Sequence, residues 1–187
     1  MNRIPELQKE KLTEAQRRIY DAILTSRGSV DGPFCIWLYS PEFADRAQSL
    51  GEYVRLKSVL KPRISELAIL ITARFWDCQA EWSIHEEFAK KAGVDKEVIE
   101  AIRDRRAPDF RNKDERGVYE FCNQVLKDGV VQDDTFEMFL DQFGEEATVE
   151  LTGLLGYYGM VAMTLNVFQV PMPEGMEPLL TDCRTYT

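Results

Sequence analysis

Ile64-Ser65-Glu66-Leu67-Ala68-Ile69-Leu70-Ile71-Thr72-Ala73-Arg74-Phe75 is the stretch on which the fold turns. It is apolar nearly all round, as a fully buried element must be. Ile69-Leu70-Ile71-Thr72 alone favours a buried strand. The run is longer than an ordinary strand, however, and it carries Ala68 and Ala73, which favour helix. Pro62, just ahead of it, suits the first turn of a helix. The segment therefore reads as a buried helix, with a strand as the competing reading.

The flanking sequence repeats this pattern. Leu12, Ala15, Ile19, Ala22 and Ile23 recur at helical spacing, which predicts an amphipathic helix over 12–25. Arg27-Gly28-Ser29-Val30-Asp31-Gly32-Pro33 reads as a loop. Ser40-Pro41-Glu42 opens a helix expected to run to about Leu60. Residues 78–92 form a helix closed by Gly93. Asp95 caps a short helix to about Arg103, residues 114–127 form another, and Asp133 caps 134–143, which ends at Gly144. A last long helix covers about 146–169 and stops before Pro171 and Pro173. About eight helices, short loops and no alternating strand pattern predict an all-α bundle. We read the chain as one domain, 1–187, with a core of about 15–173 and the termini as arms.

Bulk composition narrows the function classes. The chain has 187 residues, long enough to bury a sizeable core without a metal or disulfide. Its 32 acidic against 23 basic residues give a net charge of -9, which argues against a nucleic-acid partner. Cys35, Cys78, Cys122 and Cys183 form no CxxC pair, so neither a zinc knuckle nor a redox pair is expected. Scattered cysteines fit a reducing compartment. The opening Met1-Asn2-Arg3-Ile4-Pro5-Glu6 lacks the apolar run of a signal peptide, so a cytoplasmic location is expected. Leu151 to Met172 contains no charge and is long enough to span a bilayer. Thr152, Gly153, Gly156, Gly159, Thr164, Asn166 and Gln169 within it, with no basic flank after it, favour a buried central helix over a membrane span.

Chemistry concentrates in one place. His85 is the only histidine; Glu81 precedes it by four residues and Cys78 precedes Glu81 by three. Helix geometry spreads these three over about 60° of arc. Arg74 joins the stripe if the helix is unbroken from 74 to 85, and Trp82 borders it as an apolar wall. A carboxylate beside an imidazole fixes the tautomer and raises the basicity of the ring, which makes a proton shuttle. A thiol near such a pair loses its proton more easily. Glu66, carried into an apolar helix, needs a partner, and Arg63, Arg74 or His85 could supply it. Each residue also has a structural reading: a surface Glu–His pair, a first-turn carboxylate at Glu66, a core cysteine, a core tryptophan. A metal at Glu66, Glu81 and His85 has no specific spacing in its favour.

The ordered residues Glu66-Leu67-Ala68-Ile69-Leu70, Ala73-Arg74, Cys78-Gln79-Ala80-Glu81-Trp82-Ser83-Ile84-His85 and Ala92-Gly93-Val94 resemble the carboxymuconolactone decarboxylase superfamily, which includes the alkylhydroperoxidase D proteins. Gly32-Pro33-Phe34, Ser40-Pro41-Glu42, Leu50-Gly51-Glu52-Tyr53, and Glu150-Leu151 with Gly156-Tyr157-Tyr158 and Asn166 agree with it, so the likeness covers roughly 15–173. The resemblance implies an all-helical fold, homo-oligomers such as trimers or hexamers, and a decarboxylase reaction without organic cofactor. The peroxidase branch uses a Glu followed by Cys-x-x-Cys-x-x-x-His. Here Glu66, Cys78 and His85 match, and Glu81 stands where the second cysteine would be. A carboxylate cannot form the resolving disulfide, so only a one-cysteine peroxidase at Cys78 would remain. The resemblance thus implies a decarboxylase-like enzyme for a small lactone or keto acid. His85 is then the proton donor or shuttle, Glu81 orients it, Glu66 is a second acid–base group, and Arg74 holds a substrate carboxylate or stabilises developing charge. A one-cysteine peroxidase and a non-catalytic oligomer that binds a small ligand are the other readings.

Overall fold

The computed structural model describes residues 3–183, and among these there are eight α-helices and no strand. They are α1 (Glu14–Arg27), α2 (Pro33–Trp37), α3 (Pro41–Glu52), α4 (Pro62–Phe75), α5 (Gln79–Ala92), α6 (Lys96–Arg103), α7 (Lys113–Asp128) and α8 (Asp133–Phe168). The fold is an all-α bundle, as the period of the apolar positions predicts.

The stretch that decided the fold is its centre. Ile64 through Arg74 are all buried, and α4 packs on α5, α7 and α8 at once. A helix enclosed on several sides needs apolar residues all round, which is why this segment shows no polar face. Trp82, Phe121, Phe139, Leu151 and Leu154 fill the space around it, each at most 2% exposed.

Three boundaries bear on the sequence reading. The helix expected over 41–60 ends at Glu52 and passes into a π-turn, Tyr53–Lys57. Glu150 of α8 holds the end of this turn, accepting from Ser58 Oγ at 2.6 Å and Val59 N at 2.7 Å. The break expected at Gly144 is present: Gly144 adopts φ 81°, ψ 172°, a conformation open only to glycine, and α8 is two helical stretches that meet there at a kink. Third, α4 does not continue into α5. Asp77, at φ 53°, turns the chain, so Arg74 is not on the stripe of Glu81 and His85.

Helix α8 is long and apolar enough to cross a membrane by length and composition. Half of its most apolar window is nevertheless buried within the bundle, and Trp37 Nε1 donates to Thr164 Oγ1 at 3.0 Å across it. It has the place of a central core helix.

Neither described end of the chain is a free arm. Arg3 N donates to Phe168 O at 2.9 Å. The segment after α8 folds back along α5. Gln79 Nε2 donates to Leu180 O at 2.6 Å, and Leu180 N donates to Gln79 Oε1 at 2.9 Å. Ser83 Oγ donates to Glu177 O at 3.1 Å. These anchors carry the preceding segment, Val170–Glu174, across the front of α5, where it forms one wall of a cavity.

Candidate active site

A cavity of about 600 Å³ opens between α5, α8, the α1–α2 loop, the π-turn and the C-terminal strap. Its walls include Phe34, Phe88, Tyr157 and Tyr158, and its polar groups include Arg27, Arg55, Glu81 and His85. A mostly apolar hollow with a few converging polar groups is the usual form of a small-molecule site.

Two helices build the polar centre. Glu66, in the second turn of α4, and His85, midway along α5, face each other across the α4–α5 contact. His85 Nδ1 lies 2.7 Å from Glu66 Oε2, and both residues are buried. Burial holds the imidazole below its ordinary pKa; Glu66 pulls upward and Arg55 pushes further down. The ring is therefore neutral near pH 7. With Glu66 as the carboxylate, Nδ1–H donates to it, and Nε2 is left as an unprotonated base on a ring that lines the cavity. Tyr158 meets that ring edge-on, with centroids 5.1 Å apart, and holds its plane.

Glu81, one turn before His85, differs from the expectation. It does not orient the imidazole; Glu66 does. Glu81 is 2% exposed, and both of its carboxyl oxygens are buried without a hydrogen-bond partner. Burial pushes its carboxyl well above the usual carboxylate range. A carboxyl pushed toward its neutral form thus stands on the cavity wall one helical turn from the imidazole. Burial moves both groups toward their neutral forms, raising the proton affinity of the carboxyl and lowering that of the imidazole.

The remaining predicted site residues lie elsewhere. Arg74 is committed to structure: Nε donates to Arg103 O at 2.8 Å, one terminal nitrogen pairs with Asp77, and the other donates to Thr181 O at 3.0 Å. It does not line the cavity, because the turn at Asp77 separates it from the stripe. Trp82 is fully buried and donates through Nε1 to Glu86 at 2.7 Å, so it is core and not a cavity wall. Cys78 precedes α5, is 1% exposed, and does not line the cavity either. Burial, reinforced by Glu81, pushes its thiol up, and this outweighs the helix-end amides of Ala80 and Glu81. Among the described residues no group of three His, Cys, Asp or Glu is placed to hold a metal ion.

Sequence reasoning missed Arg55, Arg27, Tyr157 and Tyr158 as cavity residues. Arg55 was hidden in a helix expected to be straight; the π-turn is what brings it to the cavity. Tyr157 fits only because of Gly51, whose missing side chain leaves room for the hydroxyl: a Cβ there would fall 2.0 Å from it. A pair of adjacent tyrosines on an uncharged helix was the available signal.

The comparisons agree with this architecture. The model of the carboxymuconolactone decarboxylase family matches residues 41–132, which contain Glu66, Glu81 and His85. No curated protein sequence matches. Among solved structures, the alkylhydroperoxidase AhpD core of an uncharacterised peroxidase-related protein from Ralstonia eutropha JMP134 is 16% identical. It covers 92% of this chain and 93% of its own length at a TM-score of 0.76. A putative antioxidant defence protein AhpD from Agrobacterium tumefaciens is 21% identical, with 74% and 95% covered and a TM-score of 0.64. The debrominase Bmp8 in complex with 2,3,4-tribromopyrrole is 13% identical, with 93% and 95% covered and a TM-score of 0.71. At these identities the structures speak for the fold. The family model speaks for the segment that carries the site and puts the chain in the carboxymuconolactone decarboxylase superfamily.

Proposed function

We propose that the chain is an acid–base enzyme of the decarboxylase type, acting without an organic cofactor on a small lactone or keto-acid-type substrate. One observation carries this reading. A carboxylate-anchored neutral imidazole and an unpartnered buried carboxyl line the same cavity, one helical turn apart.

The chemistry follows from the two protonation states. In a decarboxylation the C–CO2⁻ bond breaks and its electron pair moves into an adjacent carbonyl, giving an enolate. The enolate carbon then takes up a proton, so one proton is consumed per turnover. Glu81, as the neutral carboxyl, donates a hydrogen bond to the developing oxyanion or a proton to the carbon. His85, with Nε2 unprotonated, takes a proton from water or from an acidic C–H of the substrate and returns it to Glu81. Glu66 keeps Nδ1 protonated, so that Nε2 is always the working nitrogen. The one-cysteine peroxidase reading has less support, because Cys78 is buried outside the cavity lining and its thiol resists ionisation.

A panel of lactones, β-keto acids and organic peroxides, assayed for CO2 release and substrate loss, tests this. His85→Gln should lower kcat by about 10²–10⁴-fold, the usual worth of a positioned acid or base, with the melting temperature little changed. Glu66→Gln should give a smaller loss and shift the pH profile. Activity that survives His85→Gln would refute the proposal. Binding of panel members without turnover of any would leave a ligand-binding bundle.

A further inference from the structure

Arg55 is an arginine without an anion. It projects from the π-turn into the cavity, half-buried, and makes no hydrogen bond or salt bridge to any described residue. This happens in a chain with 32 acidic side chains. The nearest acid in sequence, Glu52, is taken by Lys57 at 2.6 Å. Glu150, which holds the same turn, is filled by Tyr53, Ser58 and Val59. What fixes the guanidinium is an aromatic face: its central carbon lies 4.7 Å from the centroid of Phe88. Phe88 in turn lies 5.8 Å, centroid to centroid, from the His85 ring. The stack therefore holds a rigid fork of N–H donors beside the catalytic base with nothing to receive them.

A second arginine is arranged alike. Arg27 lies over Phe34 at 4.7 Å, gives one terminal nitrogen to Gln48 O at 3.2 Å, and has its Nε buried without a partner. Both guanidinium charges act on the Tyr157 phenol, so the two cations approach one region of the cavity. Neither Tyr157 nor Tyr158 gives its hydroxyl to a described residue. Glu6, Asp31 and Glu174 also line the cavity, but neither guanidinium is hydrogen-bonded or ion-paired to them, so around Arg27 and Arg55 it offers several donors, two of them cationic, between flat aromatic faces. Its matching ligand is rich in acceptors, negatively charged and apolar in body.

We propose that Arg55 is the specificity-determining residue of this site, and that it selects a flat, apolar-bodied carboxylate by a forked pair of hydrogen bonds, with Arg27 as the weaker second contact. The inference rests on reading the cavity as an active site, and it gives Arg55 the carboxylate-holding role that the sequence suggests for Arg74. Arg55 and His85 both pack on Phe88, and the Arg55 charge acts on the His85 imidazole, so a carboxylate held by Arg55 lies on the side of the cavity where the acid–base pair stands.

The test is calorimetric titration of the whole chain with 2-naphthoate and benzoate against the uncharged 2-naphthamide and benzamide. The carboxylates should bind about ten-fold or more tightly than their amides, as expected for hydrogen bonds to a charged group. Arg55→Gln should bring that ratio close to one with amide affinity unchanged. Arg55→Lys, which keeps the charge and loses the fork, should fall between, and Arg27→Gln should lower the ratio less than Arg55→Gln. His85→Gln should leave the ratio intact. Should Arg55→Gln not fold, Arg55→Lys and saturation-transfer NMR of the native chain give the same reading. Absence of carboxylate binding, or a preference that persists without Arg55, overturns the proposal. Carboxylate preference without turnover would refute the enzymatic reading alone, and turnover without that preference would refute this one alone.

Discussion

Two polar clusters lie along α5, one at its junction with α4 and one further along the helix, and they are arranged to opposite ends. At the junction, Arg74, Asp77 and Arg105 close on one another. Asp77 accepts from Arg74 and from Arg105 Nη2, the latter at 2.6 Å, and the rest of the Arg74 guanidinium reaches two backbone carbonyls. Further along α5, Glu81 has no partner, His85 has one, and Arg55 has an aromatic face but no anion. Buried polar groups are nearly always satisfied, because an unmade hydrogen bond costs more than a made one contributes. The first cluster obeys that rule and serves the fold. The second breaks it on a cavity wall, where the missing partner can be a substrate. Burial and charge do not distinguish them; the hydrogen bonds that each leaves unmade do.

The most forceful way to break the comparison is to remove the centre of the closed cluster. Arg74→Ala removes the donor to Asp77 and to the carbonyls of Arg103 and Thr181. It should lower unfolding stability by about 3 kcal/mol, the low end for disrupting a buried pair, since Asp77 keeps Arg105. Urea unfolding should show this as a lower midpoint at an unchanged slope. The same experiment on His85→Gln should show a much smaller change, because its ring already lacks one partner. Equal losses in the two variants would remove the distinction between a cluster kept for structure and one kept for chemistry.

A smaller effect comes from the open cluster, and its sign is opposite. The Glu81 carboxyl lies well above its ordinary value of 4.5 in the folded protein. Between that value and the folded one, the folded chain binds more protons than the unfolded chain. Stability therefore falls as pH rises through this window, by at most about 1.4 kcal/mol per pH unit. Glu81→Gln removes the ionisable group while keeping the shape. It should flatten that slope, so that the variant is as stable as the native chain near pH 4 and more stable at pH 8. Urea midpoints across pH measure it. A slope equal to that of the native chain would mean that Glu81 is ionised and paired in the fold. Where stability is gained, turnover should be lost, as expected when a destabilising group is retained for function.

Much of the architecture is legible in the sequence because helix burial follows a period. Ile64–Phe75 announces a buried helix by having no polar face, and Gly93 and Gly129 announce helix ends by their left-handed caps. The location of the site is legible for a similar reason: Glu81 and His85 share a helix face wherever that helix lies. The partners are not. That His85 pairs with Glu66 and not Glu81 depends on how α4 and α5 cross, which no spacing within one helix encodes. Arg74 left the stripe through a single turn at Asp77, a residue without the usual glycine signal for positive φ. Arg55 entered through a π-turn whose sequence, Tyr53-Val54-Arg55-Leu56-Lys57, reads as ordinary helix. The strap after α8 reads as a tail because its anchors are side chains of Gln79, Ser83 and Arg74, far away in sequence.

The smallest expected effect sharpens the comparison from a third position. Cys78 begins α5 between the two clusters, where the amides of a helix start would ordinarily favour a thiolate. Burial wins there, as the direction of its shift shows, and the sulfur acts as a small apolar group against the core. Cys78→Ala should therefore cost about 1 kcal/mol of stability and leave turnover within about two-fold, the range of changes remote from the chemistry. Its alkylation by iodoacetamide should proceed only through opening of the fold, at a rate that rises with denaturant. Stopped-flow measurement of peroxide consumption gives the decisive contrast. If the native chain consumes organic peroxide and Cys78→Ala does not, the thiol is reactive despite its burial. The centre of the chemistry would then shift from the open cluster to the helix end beside the closed one.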